Sequence, residues 1–276
     1  MREAEFNIRS AKSEDWQIFH QIDKEIFPED STSKEHFNKR VEHEGFFILE
    51  DKNNQMIGYL ILARFGDDAG HLGRIGVAQS MQNKGWGTKL MNFALKWFEE
   101  QNITKIILYT QEENFKAQNL YKKFNFKIIG TTWHYFVPLG NLQPLGKYNC
   151  RPIEIDEIDV IGEKFNVSLP SEQIRRFLAR EQLILIVKDP LDQIIGALRY
   201  DPTFPGCFPF EIEELESFDD ILDVLKPYQP KFDYIRLTFT DNYELAELLE
   251  NRGYKLHHKL FKMVLDFSQE SNQESL

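Results

Sequence analysis

The sequence predicts an α/β protein of two tandem units, and three observations carry that prediction. Strand-like alternation and helix-like periodicity succeed one another along the chain. A join rich in Pro and Gly, Pro138 to Gly146, separates two such runs. Blocks of the first run recur in the second in the same order. The expected domains are therefore 1–140 and 148–276, with 141–147 as the linker, and 276 residues suit two ordinary domains.

Residues 5–11 alternate like a strand, and Asp15 to Phe27 has helical spacing closed by Pro28. Ser31-Thr32-Ser33 followed by Glu35 is a capping pattern that opens a second helix, running to about Glu44. From Gly45 to Phe65 two apolar strands flank the polar turn Asp51-Lys52-Asn53-Asn54. His71 to Ala78 is a further strand. Gly85 to Gln101 is an amphipathic helix with Leu90, Met91, Ala94, Trp97 and Phe98 on its apolar face. Lys105 to Tyr109 is a buried strand, Phe115 to Phe124 a helix, and Lys127 to Val137 supplies one or two more strands.

The second run echoes the first. The hairpin Phe47 to Gly58 matches Leu185 to Gly196 at an offset of 138, with Asp51 and Asp189, Gln55 and Gln193, Gly58 and Gly196 in register. Ile107, Thr110, Asn114, Leu120 and Phe126 match Ile235, Thr238, Asn242, Leu248 and Tyr254 at an offset of 128. The second copy is thus ten residues shorter between the two blocks, where the first copy carries a pair of glycines.

Composition sets the class. Hydrophobic residues make up 42% of the chain, with 23 Phe, enough to fill cores. A net charge of −11 argues against general attraction to nucleic acid or anionic lipid. Two unclustered cysteines, Cys150 and Cys207, suit a reducing compartment. The start MREAEFNIRS lacks an apolar signal core, and no run approaches the roughly 20 apolar residues of a membrane span. A soluble cytoplasmic protein is expected.

Two motifs carry chemistry. Gln82-Asn83-Lys84-Gly85-Trp86-Gly87 follows a strand and opens a helix. Successive amides in such a turn, with the positive end of a helix, form an anion-binding concavity, and glycines let the backbone approach a phosphate. A strand-loop-helix with two glycines is also an ordinary tight turn. Asn114 then stands as the N-cap of a helix whose face carries Ala117, Leu120, Tyr121 and Phe124. Taken alone, Tyr121 reads as a core aromatic.

Together, in this order and spacing, the motifs resemble the GNAT superfamily of N-acetyltransferases, whose phosphate loop reads Gln/Arg-x-x-Gly-x-Gly/Ala and whose later block reads Asn, Ala, then Leu-Tyr. The resemblance covers about residues 5–137. Asn125 stands where Gly is commoner, a residue that also tolerates a left-handed helix end. Gln79 stands where Pro is frequent.

The resemblance implies two tandem GNAT-like domains, each a central, mostly antiparallel twisted sheet flanked by helices. It implies acetyl-CoA as the acyl donor and no metal. Gln82, Asn83, Lys84, Gly85, Trp86, Gly87 and Thr88 would hold the pyrophosphate. Trp86 has no required role there and would pack on the sheet or cover the coenzyme. The strand end Ile75-Gly76-Val77 would pair with the pantetheine arm, with an amide near Val77 polarising the thioester carbonyl. Asn114 and Ala117 would adjoin the coenzyme, and Tyr121 would protonate the leaving thiolate.

A primary amine acceptor must lose a proton before attack. His71, six residues before Val77 and on the same side by strand parity, is the candidate base, set against a surface histidine at a strand start. Asp67 and Asp68 are further candidates or simple loop acids, and Arg74 falls on the opposite strand face by parity. In this family the first two helices and their loops largely set acceptor choice. Here that segment holds Asp23, Glu25, Glu29 and Asp30, which is either a solvated face or an acidic wall favouring a cationic acceptor.

In the second half Asn242 keeps the helix start, but Leu249 occupies the place of Tyr121 and the glycine loop is missing. That half therefore looks like a degenerate GNAT copy, a tandem arrangement similar to that of mycothiol synthase-like proteins. With no Cys or Ser–His constellation beside the loop, direct transfer is expected. The rival reading is a non-catalytic acyl-CoA sensor, and a longer acyl group is a third possibility.

Overall fold

The computed structural model describes residues 6–267, apart from 66–67, 203–204 and 229–231. By packing, the chain forms two compact units: residues to Ile129 together with those from Lys262 on, and Gly130–Phe261. The division falls within strands, not at 141–147.

The first unit runs β1 (Phe6–Ser10), α1 (Trp16–Ile26), α2 (Lys34–Val41), β2 (Phe46–Asp51), β3 (Met56–Phe65), β4 (Ala69–Val77), α3 (Trp86–Glu100), β5 (Lys105–Gln111) and α4 (Phe115–Lys123). The next strand, β6 (Lys127–Pro138), has most of its length in the second unit. Strand order in the first sheet is β1-β2-β3-β4-β5. All neighbours are antiparallel except β4 and β5, which are parallel.

The expected caps form. Ser33 accepts from the His36 amide and Asn114 from the Ala117 amide, satisfying helix-start donors that no main-chain carbonyl reaches. Asp51 accepts from the amides of Asn53 and Gln55 in the β2–β3 turn. Phe46 and Tyr59 meet Phe19 edge to face, Phe46 meets Phe37 likewise, and Phe19 and Phe37 pack tilted, between α1, α2 and the sheet. Leu90, Met91, Ala94 and Phe98 of α3 are buried, with Trp97 half-buried.

The second unit repeats the plan: β7 (Asn149–Pro152), α5 (Ile158–Lys164), α6 (Ser171–Leu178), β8 (Leu183–Lys188), β9 (Ile194–Asp201), β10 (Gly206–Ile212), α7 (Phe218–Leu225), β11 (Tyr234–Thr240), α8 (Tyr243–Asn251) and β12 (Lys255–Asp266). Its sheet order is β6-β11-β10-β9-β8-β7, again with one parallel pair, β10 and β11.

The internal echo extends to hydrogen bonds. Asp189 accepts from the Leu191 and Gln193 amides as Asp51 does in its own turn. Asn242 caps α8 through the Leu245 amide as Asn114 caps α4. Arg9 grips Asp15 with two nitrogens at 2.8 and 2.7 Å, and Arg151 grips Glu157 at the same two distances. This last correspondence is not apparent from the sequence blocks.

The end of β12 crosses back. Residues from Lys262 belong to the first unit, where the Phe267 amide bonds the Thr104 carbonyl at 2.9 Å. The first unit is thus completed by a segment remote in sequence, whereas the second is one continuous stretch. Among the described residues no helix is long and apolar enough to cross a membrane.

Candidate active site

The site begins where β4 and β5 part. They pair only at Ala69–Lys105, Gly70–Ile106 and His71–Ile107, although both strands continue, to Val77 and Gln111. One side of the β4 backbone is therefore open. The Ala78 amide bonds the Ile57 carbonyl, so antiparallel alternation turns the Val77 N–H away from β3, toward that opening. The Val77 carbonyl accepts from the Gln82 side chain at 2.9 Å, which ties the strand end to the loop that follows.

That loop takes the conformation its residues permit. Asn83 (φ 61°) and Gly85 (φ 84°) are left-handed, and a Cβ built on Gly85 meets nothing within 4 Å. Gly85 is the N-cap of α3 and no side chain caps the helix, so the first-turn amides of Trp86, Gly87 and Thr88 are left to an outside acceptor. Asn83, Lys84, Gly85 and Thr88 are exposed. Lys116 donates to the Gln82 side chain at 2.6 Å, and Lys84 and Lys89 add positive charge. Free amides and lysines in one loop form an arrangement that can cradle an anion, on a chain of net charge −11.

Gly87 lets α4 come close: a Cβ there would stand 3.2 Å from Leu120. This packing sets α4, the helix that carries Tyr121, against the start of α3. The Tyr121 ring is buried, with Phe126 at 6.0 Å, and burial pushes the phenol above its ordinary pKa, so it keeps its proton at physiological pH. Asn125 is left-handed (φ 63°), as its type allows. The Asn114 oxygen is used by the Ala117 amide. Trp86 does not cover the opening. It is buried edge-on against Phe6 of β1 at 5.9 Å, with Lys89 over both rings.

The face of β4 toward α1 and α2 differs from expectation. Ile61 pairs with Arg74 and Leu62 with Leu72, so Gly73 is an extra residue, a bulge that resets the side-chain alternation. Gly70 faces Phe98 of α3, whereas Gly76 faces the Tyr59 ring on the α1 side. Arg74 reaches Asp23 of α1 at 2.7 Å and lies 4.5 Å over the Phe27 ring. Arg74 and His71 therefore share a face, and strand parity fails at Gly73.

Asp23 is fully buried. It accepts from Tyr59 Oη, the Arg74 guanidinium and the Thr32 amide at 2.5 Å. Glu25 accepts from the Gln79 amide at 2.9 Å. Two acids of the expected wall are thus engaged in holding the scaffold. Asp67 lies outside the described residues, and Asp68 is exposed, its carbonyl bonded by Thr104 and Lys105 amides.

His71 stands beside Tyr109 of β5, ring centroids 6.0 Å apart. Burial, then the charge of Arg40 on α2, brings its pKa down to about 4, so it is a neutral imidazole at pH 7. Sequence reasoning had no signal for Arg40 or Tyr59.

The matching region of the second unit is built differently. After β10, α7 opens with Asp219 and Asp220 in its first turn. Asp219 pairs with Arg252 at 2.6 Å, and Asp220 accepts from the amides of Gly146, Lys147 and Tyr148. Phe218 and Leu249 are fully buried in one apolar cluster with Phe210 and Phe239. Acids and packed hydrophobics replace the amide cradle and the phenol.

Residues 10–126 match the acetyltransferase (GNAT) family, and the fold along the chain is that of tandem GNAT structures. It is an enzyme of the acyltransferase class. Over 144 residues it is 26% identical to an N-alpha-acetyltransferase of Sulfurisphaera tokodaii, covering 48% of this chain and 86% of that protein. An N-alpha-acetyltransferase of Sulfolobus acidocaldarius is 25% identical over 151 residues, covering 49% and 88%. Two solved structures share the fold along nearly the whole chain. A GCN5-related N-acetyltransferase from Sphaerobacter thermophilus superposes with TM-score 0.72 at 11% identity, covering 95% of this chain and 96% of that one. A tandem GNAT protein from the clavulanic acid biosynthesis pathway superposes with TM-score 0.66 at 10% identity, covering 95% and 99%.

Proposed function

We propose that the first half transfers an acetyl group from acetyl-CoA directly to the α-amino group of a peptide or small molecule, and that residues 148–276 neither bind coenzyme nor catalyse. The observation that carries this reading is the parting of β4 and β5 beside an uncapped, glycine-shaped helix start. An extended pantetheine arm supplies the strand that β4 lacks on that side. The amides of residues 85–88 hold the pyrophosphate, and the Val77 N–H donates to the oxyanion of the tetrahedral intermediate.

Once the nitrogen has bonded to the acyl carbon, its proton is far more acidic than that of the free amine. Neutral His71 takes that proton, and Tyr121 donates to the departing thiolate. The names of the curated relatives support an α-amine acceptor.

Thiol release from acetyl-CoA tests the reading. With an α-amine acceptor, kcat/KM is expected to climb about tenfold per pH unit and level off near ~8, where an α-amine titrates. A plateau above pH 10 would instead mark a lysine-like amine, and coenzyme binding without release from any acceptor would leave a sensor. Gly85→Val is expected to raise the KM for acetyl-CoA by about tenfold or more, because left-handed backbone costs a side-chain-bearing residue about 1–2 kcal/mol and the side chain enters the cradle. An unchanged KM would remove the loop from the coenzyme site.

A further inference from the structure

The loop that joins α1 to α2 is wound round one side chain of β4. Arg74 Nη1 donates to Asp23 of α1 at 2.7 Å and lies 3.4 Å from Thr32 Oγ1, and Nη2 donates to the Asp30 carbonyl. The guanidinium carbon stands 4.5 Å from the centre of the Phe27 ring. Asp23 turns its second oxygen to the Thr32 amide at 2.5 Å. Residues 27–32 are thus held at their start, middle and end by Arg74 or by its partner. A planar guanidinium can do this because its donors spread in a fixed fork.

A second anchor lies further along the chain. Glu25, two residues after Asp23, accepts from the Gln79 amide at 2.9 Å. Arg74 is three residues before Val77 and Gln79 is two residues after it. The end of α1 is therefore fastened on both sides of the amide that faces the opening between β4 and β5. This is the polar side of the strand. Gly70 meets Phe98 of α3, whereas Gly76 meets the Tyr59 ring and Arg74 meets Asp23.

We propose that Arg74 and Glu25 are positioning residues, which set the 27–32 loop beforehand as a wall of the acceptor site. This rests on the acetyltransferase reading above and names what fixes its acceptor loop. A loop already in place spares the acceptor the entropy of ordering it, and so favours acceptor binding. Every bond that Arg74 makes lies on the α1 side, away from the amides of residues 85–88. Acceptor and coenzyme therefore respond differently when that anchor is loosened.

Thiol release is measured first with a peptide beginning with Ala, a peptide beginning with Ser, free alanine and spermidine, and the best of these becomes the probe. Arg74→Lys leaves a cation for Asp23 and removes the fork. It is expected to raise the KM for the probe by about tenfold or more, the worth of one charge-assisted hydrogen bond, with the calorimetric Kd for acetyl-CoA held within about twofold. Glu25→Ala, at an exposed bond, is expected to raise the probe KM about threefold, and Glu25→Gln, whose amide oxygen still accepts, to restore it. A probe KM unmoved by Arg74→Lys overturns the proposal. So does an acetyl-CoA Kd that rises as far as the KM, because general loosening touches both. Should Arg74→Lys not fold, an unmoved KM in Glu25→Ala overturns it instead. If no acceptor releases thiol, the acetyltransferase reading fails on its own. Hydrogen exchange then tests the anchoring: rates across residues 27–33 raised about tenfold in Arg74→Lys, with α3 unchanged, uphold the preset loop, and equal rates overturn it.

Discussion

Asp23→Ala is expected to destabilise the first unit by about 3–5 kcal/mol, seen as a fall in the midpoint of urea unfolding. Asp23 has no exposed surface and takes hydrogen bonds from Tyr59, Arg74 and the Thr32 amide. Truncation leaves a guanidinium and a phenol facing each other without their acceptor, beneath the Phe19–Phe37–Phe46 cluster. Removing one partner of such a pair costs far more than the pair contributes net, because the other group keeps its desolvation. A loss below about 1 kcal/mol, the scale of exposed ion pairs, would show that Asp23 is solvated in solution.

Tyr121→Phe is expected to lower kcat by about 10² to 10⁴-fold while leaving the fold intact. The ring is buried and phenylalanine fills the same space, so only the hydroxyl is lost. Burial raises the phenol pKa, so no loss of the acid is expected in the pH–rate profile below pH 10. Unchanged turnover across the pH range would assign the proton to water. The second unit has made a larger change at this position: Leu249, fully buried, has neither proton nor polar atom to give.

Much of this was legible because the signals are local. Asn114 and Asn242 announce their helices by the amides that each side chain can reach and cap as read, and within the run Ser31-Thr32-Ser33 it is Ser33 that caps. The glycine loop and Asn125 were legible because few residues accept a left-handed backbone. The bulge at Gly73 was not. One added residue has no periodic signature, yet it moves Arg74 to the other face of β4 and reverses any argument from parity. The acids at 23 and 25 were visible as charges, but their partners at 59, 74 and 79 are distant in sequence.

The passage of the last segment into the first unit bears on inheritance as well as on folding. A duplication usually leaves a spare copy that can later be deleted. Here the stretch from Lys262 onward completes the unit that holds the cradle, and it lies at the far end of the copy that holds none. A chain cut in the 141–147 join would lose the Phe267–Thr104 bond and the strand end beyond β5, baring a row of unpaired N–H and C=O groups. The second half of the chain thus carries, at its end, a piece that the first unit needs to be whole.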